Sequence, residues 1–241
     1  MYGSARPGRN LLIRKTPRKR YISTAESLLV QARMEEAAGE RLPAREAMIE
    51  IRIHGRGGQG GVTLAKLIAT SRFLKGLSVQ AFGLYAAERS GAPIQAFCRY
   101  SEDPITNRNL IYEPDHIVVL DPTLVGPAIV AGLQAGGWIL NNSPEPPDEF
   151  ARQFPYNRLA TVDATTISRD NKLVTRSVPI VNPALAGAVG KMLEVPLDEV
   201  LAALDHLGFK GGNRSAATLA YENVRLLEAP LVAGSTAQHI A

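Results

Sequence analysis

Residues 48–61 constrain this chain more than any other stretch. Met48-Ile49-Glu50-Ile51-Arg52-Ile53 alternates apolar and polar side chains, the period-two pattern of a strand with one buried face. Gly55-Arg56-Gly57-Gly58-Gln59-Gly60-Gly61 follows at once. From Val62 to Lys75, Leu64, Leu67, Ile68, Ser71 and Leu74 then recur three or four residues apart, as on one face of a helix. Strand, glycine-rich turn and helix in that order is the context in which a G-x-G-x-x-G spacing carries meaning, and Gly55, Gly57 and Gly60 meet it. Glycines let the backbone turn tightly and approach an anion, while the helix start offers unpaired N–H groups and a positive dipole end. A tight turn needing glycine only for packing would require fewer than the five glycines in these seven residues.

The surrounding charge agrees with an anionic ligand. Between Glu50 and Glu88 lie thirty-seven residues without a carboxylate, among them Arg52, Arg56, Lys66, Arg72 and Lys75. A dinucleotide-binding unit normally carries an acid about twenty residues past its last glycine, to hold the ribose hydroxyls. Here that position falls near Gln80, inside the carboxylate-free window, which disfavours NAD and leaves NADP open. Lys66 stands too far on for a G-x-x-x-x-G-K-[ST] phosphate loop. A phosphate or pyrophosphate site of another kind remains.

Further strands are expected at Ser78–Phe82, Ile94–Tyr100, Ile117–Asp121, Trp138–Asn141 and Leu159–Val162. Ile117-Val118-Val119-Leu120 is continuously apolar, as in a strand buried on both faces. Helices are expected at Pro122–Gln134, Pro183–Leu193, Leu197–Leu207 and Ser215–Leu227, with Gly187 and Gly190 marking close packing against a neighbour. The alternation gives an α/β fold with a mainly parallel sheet flanked by helices, Rossmann-like, spanning 48–228. A basic N-terminal extension precedes it over 1–47 and a tail of small and polar residues follows over 229–241. Within the extension, Ser23 and Glu26 form a capping box ahead of a helix over Ala25–Glu40.

The net charge of +4 resides in the extension. Residues 1–20 hold seven basic side chains and no acid, and the rest of the chain carries 20 basic against 23 acidic residues. A nucleic-acid-binding domain would place its basic footprint on a folded face, so this distribution argues against one; the cluster reads either as a flexible arm or as an arm that docks on an acidic partner. The acid-free start loosely resembles a transit peptide but is poor in serine, and no apolar signal core or membrane-length apolar run occurs. A cytoplasmic protein is the expectation. One cysteine, Cys98, excludes an internal disulfide framework, a thiolate zinc site and an iron–sulfur cluster held by this chain alone. Four scattered histidines show no ligand spacing, so no metal site is expected.

Three ordered blocks carry a resemblance: I-E-I-R-I-H-G-R-G-G-Q-G-G-V, then A-E-R-S-G-A-P-I-Q-A-F-C-R-Y, then E-P-D-H-I-V-V-L-D. Together they resemble the gamma subunit of the 2-oxoacid:acceptor oxidoreductases, the family of pyruvate:ferredoxin oxidoreductase, over about Met48 to Leu227. Ser90 departs from the second arginine that often follows Glu88-Arg89 there, and the basic extension has no counterpart. The resemblance implies a complex that oxidatively decarboxylates a 2-oxoacid, forms an acyl-CoA and passes electrons to ferredoxin or another acceptor. It implies thiamine diphosphate and iron–sulfur clusters on partner subunits, and a gamma module that helps bind coenzyme A and close the active site. By that similarity Gly55, Arg56, Gly57, Gly58, Gln59 and Gly60 face the coenzyme's phosphates, while Glu88, Arg89, Ser90 and Gly91 lie at the active-site interface. Chain order argues no catalytic residue, so the isolated chain is expected to be inactive. A free-standing NAD(P)-dependent Rossmann-type dehydrogenase is the alternative.

Several residues carry two readings. Arg56 is either a planar fork for phosphate or a solvated arginine, and Gln59 either donates to the same group or does not. Glu88 and Arg89 either shape their loop as an ion pair or contact the ligand directly. Asp121 and Asp163 end strands where ligands of open sheets collect, yet capping the next helix explains Asp121 equally well. His54 reads as a packed or exposed histidine, not a catalyst, and Cys98 as an inert core thiol.

Overall fold

The computed structural model describes residues 48–84, 91–155, 157–175 and 178–228. The chain divides into two units, 1–45 and 46–241, and all described residues belong to the second. The capping-box helix of the extension, the tail, and Glu88, Arg89 and Ser90 lie outside the described residues.

The organising strand is β1 (Ile49–Arg56), in a seven-stranded sheet with β2 (Ser78–Leu84), β3 (Pro93–Ser101), β4 (His116–Val119), β5 (Trp138–Asn142), β6 (Arg158–Val162) and β9 (Arg225–Leu227). Their spatial order is β2-β3-β1-β4-β5-β6-β9. Strands β1, β4, β5 and β6 run parallel, whereas β3 and β9 are antiparallel to their neighbours. β3 is therefore inserted between β1 and β2, with Ile53 opposite Ala96 on one side and Val118 on the other. A separate hairpin pairs β7 (Val174–Thr175) with β8 (Val178–Pro179). The expected strands thus form a mainly parallel, mixed sheet, and the hairpin and β9 are additions.

Helices α1 (Gly61–Phe73), α2 (Asp148–Ala151), α3 (Ala164–Asp170), α4 (Asn182–Met192), α5 (Leu197–His206) and α6 (Gly212–Asn223) complete the described fold. Ten of the eleven residues of α4 are buried, because α1, α5 and α6 all pack on it. Gly187 permits this: a β-carbon there would stand 2.0 Å from the carbonyl oxygen of Ala217 on α6. The close approach read from Gly187 and Gly190 is present.

One apolar cluster joins Ile51, Ile53 and Val118 of the sheet to Leu64 and Leu67 of α1 and Leu185 and Val189 of α4. A smaller one on the opposite face joins Ile117, Val119, Ile139 and Leu159 to Ile129 and Phe154. β4 thus supplies alternate residues to both, as its unbroken apolar run requires.

Three expectations are corrected. The polar side of β1 is not solvated: Glu50, Arg52 and His54 are all buried. Arg99 of β3 lies 3.0 Å from a Glu50 carboxylate oxygen, and Arg52 donates to the carbonyls of Tyr112, Ile129 and Ala131. The segment Pro122–Gln134 is not a helix either, beyond a 3₁₀ turn at Pro122–Leu124. Pro127 lacks an N–H and pushes Gly126 away from helical angles. The carbonyls of Ile129 and Ala131 accept from Arg52 at 2.9 and 2.6 Å, and Leu133 N–H, which would bond Ile129 O in an α-helix, donates to Val130 O at 3.0 Å. Gly132 has φ +77°, a left-handed turn packed on the Tyr112 carbonyl. Similarly, the last expected helix ends at Asn223, and Arg225–Leu227 pairs with β6 instead.

Candidate functional site

The glycine loop leaves the end of β1 and enters α1 through Gly60, whose φ of 81° and ψ of 31° place the N-cap in the left-handed region that glycine adopts without strain. The loop is pinned from several sides. Gly57 N–H donates to Ala92 O at 2.9 Å and Gln59 N–H to Arg56 O at 3.0 Å. Asn182, the first residue of α4, donates its side-chain amide to Gln59 O at 2.9 Å and Gly60 O at 3.3 Å, an orientation assigned from the hydrogen-bond pattern. A trans peptide sets N–H opposite C=O, so Asn182 also sets the direction of the Gly60 amide. No side chain caps α1 and no acid stands in its first turn, which leaves its positive end to an external partner.

Beside this turn opens a cleft of about 620 Å³, lined by Arg56, Gly57, Gly58, Gln59, Gly60 and Thr63, by Gly91, and by Asn182 and the β7–β8 hairpin. At Gly58, φ is +91° and nothing lies within 4 Å of where a β-carbon would be, so backbone faces open space there. Gly55 is behind the cleft, packed between the Gln59 side chain and Leu120.

The charged groups form one network. Asp121, just past β4, accepts from Arg56 Nε at 2.9 Å and Gln59 Nε2 at 3.0 Å, both on Oδ2. Its Oδ1 accepts from the Thr123 amide at 3.0 Å and hydroxyl at 2.6 Å. Burial pushes the Asp121 pKa up, but the hydrogen bonds from Thr123, Gln59 and Arg56 outweigh it and hold the carboxyl below its usual range. Arg56 also donates to Gly91 O at 3.2 Å and Thr123 Oγ1 at 2.9 Å. Three of its five N–H groups are so engaged, one on each nitrogen, and Arg56 itself lines the cleft. Gln59 spans the loop, accepting from Arg56 N–H at 2.7 Å while donating to Asp121.

The other candidates fall away from the cleft. Asp163 caps α3 through Thr166 N–H at 2.9 Å. His54 is packed inside the sheet, and burial, followed by the Arg52 charge, lowers its pKa to about 4. Cys98 is a fully buried thiol whose pKa burial pushes up to about 12, the inert thiol expected of it. Among the described residues, no group of three or more His, Cys, Asp or Glu side chains could hold a metal ion. The sequence reading did not include Thr63, Thr123, Asn182 or the hairpin. Only the Asn182-Pro183 pair carried a local signal, and it marks a helix start, not a contact with a loop far away in the chain.

This arrangement can hold an anion by backbone amides and one arginine, without a nucleophile–base pair. A family model described as pyruvate ferredoxin/flavodoxin oxidoreductase matches residues 50–227. Over 190 residues the chain is 42% identical to the pyruvate/ketoisovalerate oxidoreductases common subunit gamma of Pyrococcus abyssi, spanning 75% of this chain and 100% of that one. It is 41% identical over 159 residues to the pyruvate synthase subunit PorC of Methanosarcina barkeri, with 65% and 85% covered. Its fold is similar to the crystal structure of the pyruvate oxidoreductase subunit PORC of Thermotoga maritima, with TM-score 0.65, 31% identity, and 75% and 99% of the two chains covered. The chain therefore belongs to the pyruvate ferredoxin/flavodoxin oxidoreductase family, as a gamma-type subunit.

Proposed function

We propose that this chain works inside a multisubunit complex that oxidatively decarboxylates a 2-oxoacid to an acyl-CoA, and that it binds the phosphates of coenzyme A at the glycine loop. Thiamine diphosphate and iron–sulfur clusters belong to partner subunits, and ferredoxin or a related acceptor takes the electrons. One cysteine, buried in β3, supports that division of labour. Gly91 lines the cleft, and by the family resemblance Glu88, Arg89, Ser90 and Gly91 help close the active site against a partner. The basic residues 1–20 dock on an acidic surface of the complex.

The observation that carries the reading is the uncapped start of α1 opening, through Gly58 and Gly60, onto the cleft. The backbone amides there suit a phosphate, and the N–H groups left on Arg56 suit a second oxygen of the same ligand. The cleft is also large enough for more of the coenzyme than one phosphate.

A free-standing NAD(P)-dependent dehydrogenase fits less well. The strand flanking β1 on that side is β3, antiparallel, so Pro93 stands opposite Arg56 where a dinucleotide fold presents the acidic end of its second strand.

Arg56→Ala in the assembled complex tests the proposal. The KM for coenzyme A is expected to rise roughly tenfold while that for the 2-oxoacid changes less than about twofold. An equal change in both would overturn the coenzyme site.

A further inference from the structure

The carboxylate of Asp121 is hydrogen-bonded to Arg56 and Gln59, which line the cleft read above as an anion site, where taken alone it would repel a phosphate. Its contacts resolve the contradiction. All of its hydrogen bonds are with two groups: Thr123, which holds Oδ1 twice, and the pair Arg56 and Gln59, which share Oδ2. Its side chain is 13% exposed, against 35% for Arg56. The backbone beneath it is rigid, since Leu120 N–H donates to His54 O at 2.8 Å and continues the β1–β4 ladder. Arg56, by contrast, is a long side chain at the end of β1 that would sample many rotamers in water.

We propose that Asp121 is a positioning residue for the coenzyme site: its carboxylate aims the Arg56 fork and braces Gln59, so that the two N–H groups left on the guanidinium meet a coenzyme A phosphate. This rests on the reading of the cleft as the coenzyme site. Thr123 completes the clamp, because one hydroxyl donates to Asp121 Oδ1 and accepts from Arg56 Nη2. Gln59 serves as a brace, with its amide engaged at both ends. A pre-aimed guanidinium loses less rotamer freedom when the ligand arrives, which is how the clamp favours binding despite its own charge.

Coenzyme A is titrated calorimetrically into the assembled complex, without oxoacid, for wild type, Asp121→Asn, Arg56→Ala and the double variant, with steady-state KM and kcat measured alongside. Asp121→Asn is expected to weaken coenzyme binding and raise its KM about tenfold, with the change in kcat and oxoacid KM within about twofold. In the Arg56→Ala background the same substitution is expected to tighten binding, because only the repulsion remains to be removed. Thr123→Val, which leaves the carboxylate in place, is expected to weaken binding about threefold and carries the test if Asp121→Asn does not assemble. Unchanged or tighter binding by Asp121→Asn in the wild-type background overturns the positioning role, as does an unchanged Thr123→Val. If Arg56→Ala itself leaves coenzyme binding unchanged, the coenzyme reading falls and the positioning role falls with it.

Discussion

Arg52 donates from Nε to Nε2 of His54 at 3.1 Å on the buried polar side of β1, which makes His54 a neutral acceptor. His116 is constrained in the same way at the other end of the parallel strands, where its Nδ1 accepts from Trp138 N–H at 3.2 Å. Burial first, then the charge of Arg52 or Arg158, lowers both pKa values to about 4. Unfolding returns them to about 6.5, so between those values the unfolded chain binds more protons. Stability should therefore be complete above about pH 6.5 and fall as the pH drops toward 4, by on the order of 3 kcal/mol for His54 and less for half-buried His116. Urea unfolding at pH 7 and pH 4.5 checks this. His54→Gln, which still accepts from Arg52, should lose a large part of the difference, and an unaltered pH dependence would refute the assignment.

Arg52 holds the irregular segment after β4 by the carbonyls of Ile129 and Ala131, and the loop before β4 by that of Tyr112. Arg52→Met should leave these acceptors buried without a donor and cost about 3–5 kcal/mol. Arg52→Lys keeps the charge but not the fork, and should recover only part of that. Hydrogen exchange should show lost protection within 122–134 in both variants. Protection equal to wild type would mean that the segment holds itself.

Gly187 and Gly190 sit one turn apart in α4 and face different obstacles. A β-carbon on Gly187 meets the Ala217 backbone oxygen at 2.0 Å, whereas on Gly190 it meets the Val200 side chain at 2.6 Å. Backbone must shift for the first and a methyl for the second. Gly187→Ala should cost about 3 kcal/mol and Gly190→Ala about half as much. Thermal melts of the two variants give the order directly, and a reversed order would contradict this packing.

Cys98, fully buried with its pKa raised to about 12, should resist alkylation at pH 8 in the folded protein. Labelling by iodoacetamide should appear only with unfolding, so its rate reports global opening. Fast labelling under native conditions would show that β3 opens locally.

How much of this could be read from the chain alone follows from the range of the forces involved. The β1–loop–α1 unit was legible because glycine conformations, helix starts and apolar periods are set by residues a few positions apart. The carboxylate-free window and the single cysteine are likewise properties of composition. Asp121 was visible as a strand-end acid, but whether it would meet a ligand, cap a turn or hold Arg56 depended on which strand came to lie beside β1. The insertion of β3 next to β1 decided what stands at the ribose position, and sheet order is a long-range choice. The helix expected at Pro122–Gln134 failed for the same kind of reason: Arg52, seventy-seven residues before Ile129, donates to carbonyls there. Asn182 reaches the glycine loop only because α4 packs against α1. Local chemistry thus determined that a glycine turn with an uncapped helix start would form, and tertiary packing decided which charges surround it, because hydrogen-bond partners distant in the chain meet only once the sheet is ordered.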